Sequence, residues 1–293
     1  MAENLNLKLK ARLALRNGML LPGCPNALTA RIAEDLGFEA AYVTGSGVTN
    51  SFLGVPDLSL ISLTQLAEHV AAMREVISLP IVVDADTGFG NAVSVGHTIK
   101  VLERAGANCI QIEDQVFPKR CGHFEGKEVT STEEFVAKIK AATDARSDPD
   151  LLIMGRTDAI ACTGFEDALD RANAALEAGA DCLFVEGPRS LDEIRRIPAA
   201  LGGPALINLV FGGDTPLLTQ PELADQGYAM VLYAGAAIQA AISGMQLVLG
   251  HILRTGSIDG VLDRVATFDE RQRLVDKPRY DALEKKYAVE TAS

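Results

Sequence analysis

The sequence predicts an α/β protein, a closed (β/α)8 (TIM) barrel with a C-terminal helical extension. Three observations lead there. Short apolar runs alternate with segments of 3.6-residue hydrophobic period along most of the chain, and the runs number eight. Several helical segments also close on small-residue signals (Leu36-Gly37-Phe38, Ala105-Gly106-Ala107, Ala178-Gly179-Ala180) just before the next run. Runs that are apolar throughout suit parallel strands buried on both faces. Glycine after a helix releases the chain at a left-handed residue, so that it can re-enter the sheet. Eight such units close a barrel.

In chain order the runs fall at residues 19–21, 40–44, 80–86, 109–114, 151–157, 182–186, 205–210 and 230–234, with helical patterns at 26–36, 92–105, 132–145, 165–178 and 221–226. The 293 residues would allow two domains of about 150, but one barrel takes about 250. No linker or shift of composition marks a second domain. Residues 1–258 are therefore read as the barrel catalytic domain, and 259–293 as a charged helical extension packing on the barrel or on a neighbouring subunit. The first 18 residues are polar and amphipathic, without the apolar centre of a secretory signal. The longest uncharged run, 226–250, has the length of a bilayer span. It is interrupted by Gln239, Ser243 and Gln246, and Tyr233-Ala-Gly reads as a strand end, so a buried strand and helix are expected, with no membrane partner.

Lys and Arg total 27 against 39 Asp and Glu, a net charge of −12. Without a basic cluster the chain has nothing to displace the counterions of a phosphate backbone. The absence of Trp and an aromatic content of 5% also exclude a stacking platform for single strands. Five scattered cysteines (Cys24, Cys109, Cys121, Cys162, Cys182) with no CxxC pair suit a reducing compartment, and a cytoplasmic location is expected.

In a barrel, polar residues at the carboxyl ends of the strands face the active-site mouth. Those ends hold Tyr42, Thr44-Gly45-Ser46, Asp84-Ala-Asp86, Glu113-Asp114, Arg156-Thr157-Asp158, Glu186 and Asn208. One Asp at such a place commonly caps the next helix. Acids on successive strands would repel one another without a cation, and oxygen-only donors select Mg²⁺ or Mn²⁺ over zinc. Asp84 and Asp86, at i and i+2, are expected on one side of a strand. Thr44-Gly45-Ser46-Gly47 forms a short run of backbone amides suited to a carboxylate or phosphate. Pro118-Lys119-Arg120-Cys121-Gly122-His123 follows the fourth strand; its basic residues would lower the Cys121 pKa, and Gly122 lets the loop fold over a ligand. The alternative is a basic surface loop with an incidental cysteine. Cys109 and Cys182 start apolar strands and are read as inert, and Cys24 and Cys162 lack a basic neighbour in sequence. Gly88-Phe-Gly90-Asn91 lacks the spacing of a nucleotide loop.

The segments DADTGFGN (84–91), IEDQVFPKRCGH (112–123) and GRTDA (155–159) resemble the isocitrate lyase/phosphoenolpyruvate mutase superfamily, in its carbon–carbon lyase branch. The resemblance implies a barrel whose eighth helix is exchanged between subunits of a homotetramer, a dimer of dimers. It implies Mg²⁺ held by Asp84 and Asp86, with Asp57 and Glu113 contributing through water. The α-keto acid half of a small hydroxy dicarboxylate would chelate that metal, contact Thr44, Gly45 and Ser46, and pair with Arg156. Cys121 becomes the general acid that protonates the leaving carboxylate, with His123, Arg120 and Glu113 shaping its loop and Gly122 contacting substrate. Tyr42 is placed near the substrate hydroxyl, and Glu186 and Asn208 complete the substrate wall.

Departures from the superfamily pattern narrow the substrate. Two late arginines that read a third carboxylate in methylisocitrate lyases align with Gln239 and Phe268. Losing them would cost about 2–5 kcal/mol of binding. Ala266-Thr-Phe268 and Phe124-Glu-Gly-Lys127 instead resemble the dimethylmalate lyase, oxaloacetate hydrolase and petal-death-protein group. Phe211 stands where relatives have an acid, and Ala234 where oxaloacetate hydrolases use Ser; both are expected to make the leaving-group end apolar. The expected activity is Mg²⁺-dependent cleavage of a 2,3-dimethylmalate-like acid. The alternatives are oxaloacetate hydrolysis or decarboxylation, 2-methylisocitrate cleavage, and carboxyphosphonoenolpyruvate mutation.

Overall fold

The computed structural model describes residues 4–119 and 126–288. Cys121, Gly122 and His123, with Arg120, lie outside the described residues. The chain divides into two compact units, Met1–Ala237 and Ile238–Ser293.

In the first unit, β1 (Met19–Cys24), β2 (Ala41–Val43), β3 (Ile81–Asp84), β4 (Cys109–Glu113), β5 (Leu152–Thr157), β6 (Cys182–Val185), β7 (Ala205–Asn208) and β8 (Met230–Tyr233) form a closed barrel in sequence order. All neighbours are parallel, and the ring closes with Met19 opposite Met230. Each of the eight apolar runs contributes one strand. The helices are α1 (Leu5–Ala14), α2 (Ala27–Asp35), α3 (Gly45–Val48), α4 (Leu63–Val76), α5 (Ala92–Ala105), α6 (Thr132–Ala145), α7 (Phe165–Glu177), α8 (Leu191–Ala200), α9 (Gln220–Asp225), α10 (Ala236–Thr255), α11 (Phe268–Leu274) and α12 (Lys277–Tyr287).

Strand alternation sorts the core into two shells. Leu21, Tyr42, Val82, Cys109, Met154, Cys182, Phe184, Leu206 and Leu232 fill the barrel interior. Val43, Val83, Ile110, Ile112, Ile153, Leu183 and Val231 pack outward, in one cluster with residues of the surrounding helices. Leu9 and Leu13 of α1 join the inner cluster, and Asn108 Nδ2 donates to Asn6 Oδ1 at 2.7 Å. The N-terminal helix thus covers the barrel end away from the strand carboxyl ends. One or two steps of alternation carry the apolar positions 109, 154, 182 and 206 up to Glu113, Arg156, Glu186 and Asn208, so the polar layer lies above an apolar floor.

In the second unit lie most of α10, followed by α11 and α12. The sequence expectation for 226–250 needs correction: β8 is buried, but no residue of α10 is. Ile242, Met245, Leu247, Leu249 and Leu253 are exposed. Among the described residues α10 is the one helix long and apolar enough to cross a bilayer.

Candidate active site

The strand ends bring most of the predicted residues together. Thr44 caps α3, its side chain accepting from Gly47 N–H, and its hydroxyl lies 3.2 Å from Ser46 Oγ. Gly45 faces the β3 acids: a β-carbon there would stand 3.1 Å from Asp86 Oδ1 and 3.3 Å from Asp84 Oδ2. The i, i+2 reasoning for that pair is corrected. β3 ends at Asp84, and Asp86 lies beyond it with a left-handed φ of 50°. A non-glycine residue held there is strained, a condition that clusters at functional sites. The turn, rather than strand alternation, aims both carboxylates at Gly45. Asp86 N–H donates to Asp84 Oδ1 at 3.2 Å.

Lys119 organises the same acids. Its ammonium lies 2.6 Å from Asp57 Oδ2 and 2.9 Å from Asp86 Oδ1, with all three side chains buried. Burial disfavours its charge, but Asp86, Glu113, Asp57 and Asp84 hold it well above the usual lysine value. Burial pushes Asp86 up to about 7, with Asp84 and Asp57 adding to the rise and Lys119 opposing it. Asp57 Oδ1 and Glu113 Oε1 are buried with no hydrogen-bond partner among the described residues. Such orphaned acceptors are costly unless something positive meets them.

Glu113 ends β4 opposite Arg156 of β5, with Arg156 Nε 3.3 Å from Glu113 Oε2. Burial drives the Glu113 carboxyl well above its usual value despite Arg156. Arg156 donates through Nε and Nη2 to Asp158 at 2.9 and 3.2 Å, lies over the Phe184 ring at 4.9 Å and reaches Glu186 Oε2 at 4.0 Å. This fork leaves Nη1 as the edge that can meet a ligand carboxylate. Asp158 also receives Lys127 Nζ at 3.0 Å. Burial alone would raise its pKa, but Arg156 and Lys127 bring it down to about 2.

Tyr42 is buried, and its hydroxyl donates to Gln111 Oε1 at 2.9 Å. Burial and the nearby Asp84 drive the phenol well above its ordinary value, so it is no ready base near neutral pH. Asn208, the last residue of β7, accepts from Ala234 N–H at 3.5 Å and makes no hydrogen bond to the acids among the described residues. A cavity of about 690 Å³ opens beside Glu186, lined by Lys127, Cys162, Arg189, Asp214 and Thr215 among others.

Two further readings change. Phe211 is 81% exposed, so it adds nothing to a buried apolar wall. Cys162 does have a basic neighbour: its thiol donates to the Lys127 carbonyl at 3.4 Å, and the Lys127 charge acts on it, although burial still raises the thiol. Cys24 is buried, and burial pushes its thiol up to about 12. Cys109 and Cys182 lie in the barrel interior as expected. Sequence reasoning named Asp158 only as one of the strand-end acids, and did not assign Lys119, Lys127 or Gln111 to the site. Lys119 was signalled by the surplus of acids, and Gln111 by its period-two place between Cys109 and Glu113.

Among the described residues no three His, Cys, Asp or Glu side chains converge as a closed ligand cluster. The donors nevertheless suit a hard divalent cation. Asp84 Oδ2 and Asp86 Oδ1 face the space a Gly45 side chain would fill, and Asp57 and Glu113 keep unpartnered oxygens. All are oxygens, as Mg²⁺ and Mn²⁺ require.

Residues 9–253 match the family described as phosphoenolpyruvate phosphomutase. The chain is 41% identical over 286 residues to 2,3-dimethylmalate lyase of Eubacterium barkeri, covering 98% of this chain and 99% of that one. It is also 41% identical over 279 residues to 2-methylisocitrate lyase of Aeropyrum pernix, covering 95% and 90%. Among solved structures, oxaloacetate acetylhydrolase in complex with 3,3-difluorooxalacetate superposes with a TM-score of 0.90 at 29% identity, covering 98% of this chain and 99% of that one. Phosphonopyruvate hydrolase in complex with oxalate and Mg²⁺ gives 0.87 at 32%, covering 97% and 99%.

Proposed function

This chain belongs to the phosphoenolpyruvate mutase family, and from that premise we propose that it is a carbon–carbon lyase cleaving a 2-hydroxy dicarboxylate of the 2,3-dimethylmalate type to pyruvate and propionate. The observation that carries this reading is the oxygen-lined recess formed by Gly45, Asp84 and Asp86 beside Arg156 and Glu113. It offers a cation position next to a guanidinium edge, which is what a 2-hydroxy acid needs to be held by both its carboxylate and its hydroxyl.

Mg²⁺, with Mn²⁺ as a substitute, would be held by Asp84 and Asp86 directly and by Asp57 and Glu113 through water. When bound, the cation supplies Lewis acidity to the 2-oxygen of the substrate. Arg156 Nη1 and the amides around Thr44, Gly45 and Ser46 fix the carboxylate of the pyruvate half. Asp158 holds the guanidinium in the plane that presents Nη1. The 2-hydroxyl passes its proton to the Glu113 carboxylate, the C2–C3 electron pair passes to the leaving fragment, and that fragment takes a proton at C3 from the Cys121 thiol, which the proton released from the hydroxyl then restores. His123 and Gly122, beside Cys121 in sequence, would assist it, and Glu186 and Asn208 complete the substrate wall. The neutral, buried Tyr42 serves as a hydrogen-bonding neighbour of the hydroxyl.

Its 41% identity to a 2-methylisocitrate lyase keeps that activity as a second reading, but Gln239 and Phe268 supply no guanidinium for a third carboxylate. Oxaloacetate hydrolysis is the other, supported by the likeness to oxaloacetate acetylhydrolase. The exposed apolar residues of α10 support its being covered by a second copy, as in a homotetramer with exchanged helices. They accord with residues 259–293 packing on a neighbouring subunit, while residues 1–258 form the catalytic domain, in a cytoplasmic enzyme. The test is pyruvate release from 2,3-dimethylmalate with Mg²⁺, with EDTA, and in Cys121→Ser. Loss of turnover in both of the latter, with pyruvate binding kept in the variant, is expected. A parental rate in Cys121→Ser would remove it as the acid, and a rate indifferent to EDTA would remove the cation.

A further inference from the structure

We propose that Gln111 is the positioning residue of Asp84, fixing that carboxylate so that one oxygen is occupied by donors and the other is presented to the cation. The inference rests on the divalent-cation reading above and adds to it a residue in the layer below.

Gln111 is fully buried on β4, with its inward side chain between those of Cys109 and Glu113. The barrel interior around this depth is otherwise mostly apolar, with Val82, Met154 and Phe184 in the inner cluster. A primary amide there is costly unless its polar atoms are bonded. Two bonds meet that need. Gln111 Nε2 donates to Asp84 Oδ1 at 2.8 Å, and Tyr42 Oη donates to Gln111 Oε1 at 2.9 Å. Gln111 and Asp84 are register partners across β3 and β4, so the backbone already sets their separation.

The direction of this chain is forced. A carboxylate only accepts, so the amide must turn its NH2 to Asp84 and its oxygen to Tyr42, and the tyrosine must then be the donor. Asp84 Oδ1 also accepts from Asp86 N–H at 3.2 Å. With Oδ1 held by two donors, Oδ2 is left facing the gap at Gly45. Tyr42 has its proton committed to Gln111, so toward a substrate hydroxyl it can only accept. Hydrogen-bond partners behind a metal ligand hold its orientation, and removing one typically weakens metal affinity 10- to 100-fold.

The test is titration of the full chain with Mn²⁺ alone, following free Mn²⁺ by electron paramagnetic resonance, with melting of the metal-free protein recorded in parallel. Gln111→Leu keeps the approximate volume and loses both bonds; its Mn²⁺ Kd should rise at least about 10-fold. Gln111→His keeps one donor and one acceptor and should recover most of that loss. Tyr42→Phe removes only the outer bond, and a rise of about threefold is expected, which keeps the test open should Gln111→Leu not fold. A merely structural role would lower the melting temperature of these variants and leave the Kd of the folded protein unchanged. Parental Kd values in folded Gln111→Leu, or in Tyr42→Phe where that variant carries the test, would overturn the inference alone. A parent that binds no Mn²⁺, indistinguishable from Asp86→Ala, would overturn the cation reading and this inference with it.

Discussion

Gly45 and Asp86 share one space: the β-carbon that Gly45 lacks would stand 3.1 Å from Asp86 Oδ1. The same position lies 3.3 Å from Asp84 Oδ2. In Gly45→Ala the new methyl group would compete with anything held between the two carboxylates. Weaker Mn²⁺ binding, by about 10-fold or more, and a matching fall in turnover are expected. Melting of the metal-free protein should change little, because Gly45 has no left-handed backbone to strain. Titration and thermal melting on one sample check both statements, and unchanged Mn²⁺ affinity would show that the recess is not where the cation sits.

Asp158 ties Arg156 to Lys127, and the two cations hold its pKa down to about 2 against burial. An acid whose folded pKa lies below its unfolded value contributes stability above the unfolded pKa and loses it as pH falls through the folded one. The contribution is on the order of 2 kcal/mol near neutrality, disappearing between about pH 4 and pH 2. Asp158→Asn removes it and leaves buried Arg156 and Lys127 short of a counter-charge, which together should cost about 3 kcal/mol. Urea unfolding at pH 7 and at pH 3 should show the deficit shrinking as the parent itself is acidified. An equal deficit at both values would contradict the assignment.

Ala234 sits against Asn208, its N–H donating to Asn208 Oδ1. A hydroxyl at this position could hydrogen-bond the hydrated form of an oxo acid, so Ala234→Ser should raise oxaloacetate consumption. One added hydrogen bond to a charged or polarised group, at about 1.5 kcal/mol, corresponds to roughly 10-fold. Following oxaloacetate loss by its own absorbance checks it. No increase would show that the hydroxyl at 234 is not what separates the two activities.

Periodicity made the barrel legible in the sequence because most strand residues are buried on both faces and the helices packed on the barrel are buried on one. The eight apolar runs at 19–21 through 230–234 each hold a strand. The acids Asp84, Asp86 and Glu113 and the guanidinium of Arg156 were legible as strand-end polar residues, since a barrel permits few other places for them. What escaped were features that depend on contact between distant segments. The left-handed turn at Asp86 looks like strand in an apolar run. Lys119 reads as part of a basic loop until it is seen between Asp57 and Asp86. Gln111 looks like an isolated polar residue in a strand until Tyr42 and Asp84 flank it. The burial expected of α10 failed because an apolar composition does not by itself place a helix in the core: its Ile242, Met245, Leu247, Leu249 and Leu253 are exposed.

The substrate class is tested by pyruvate release with Mg²⁺ over 2,3-dimethylmalate, 3-alkylmalates and 2-methylisocitrate, with oxaloacetate consumption followed separately. Pyruvate is expected from the alkylmalates and little from the tricarboxylate, because positions 239 and 268 hold Gln and Phe. Preferential cleavage of 2-methylisocitrate, or silence on every malate with oxaloacetate consumed, would contradict it.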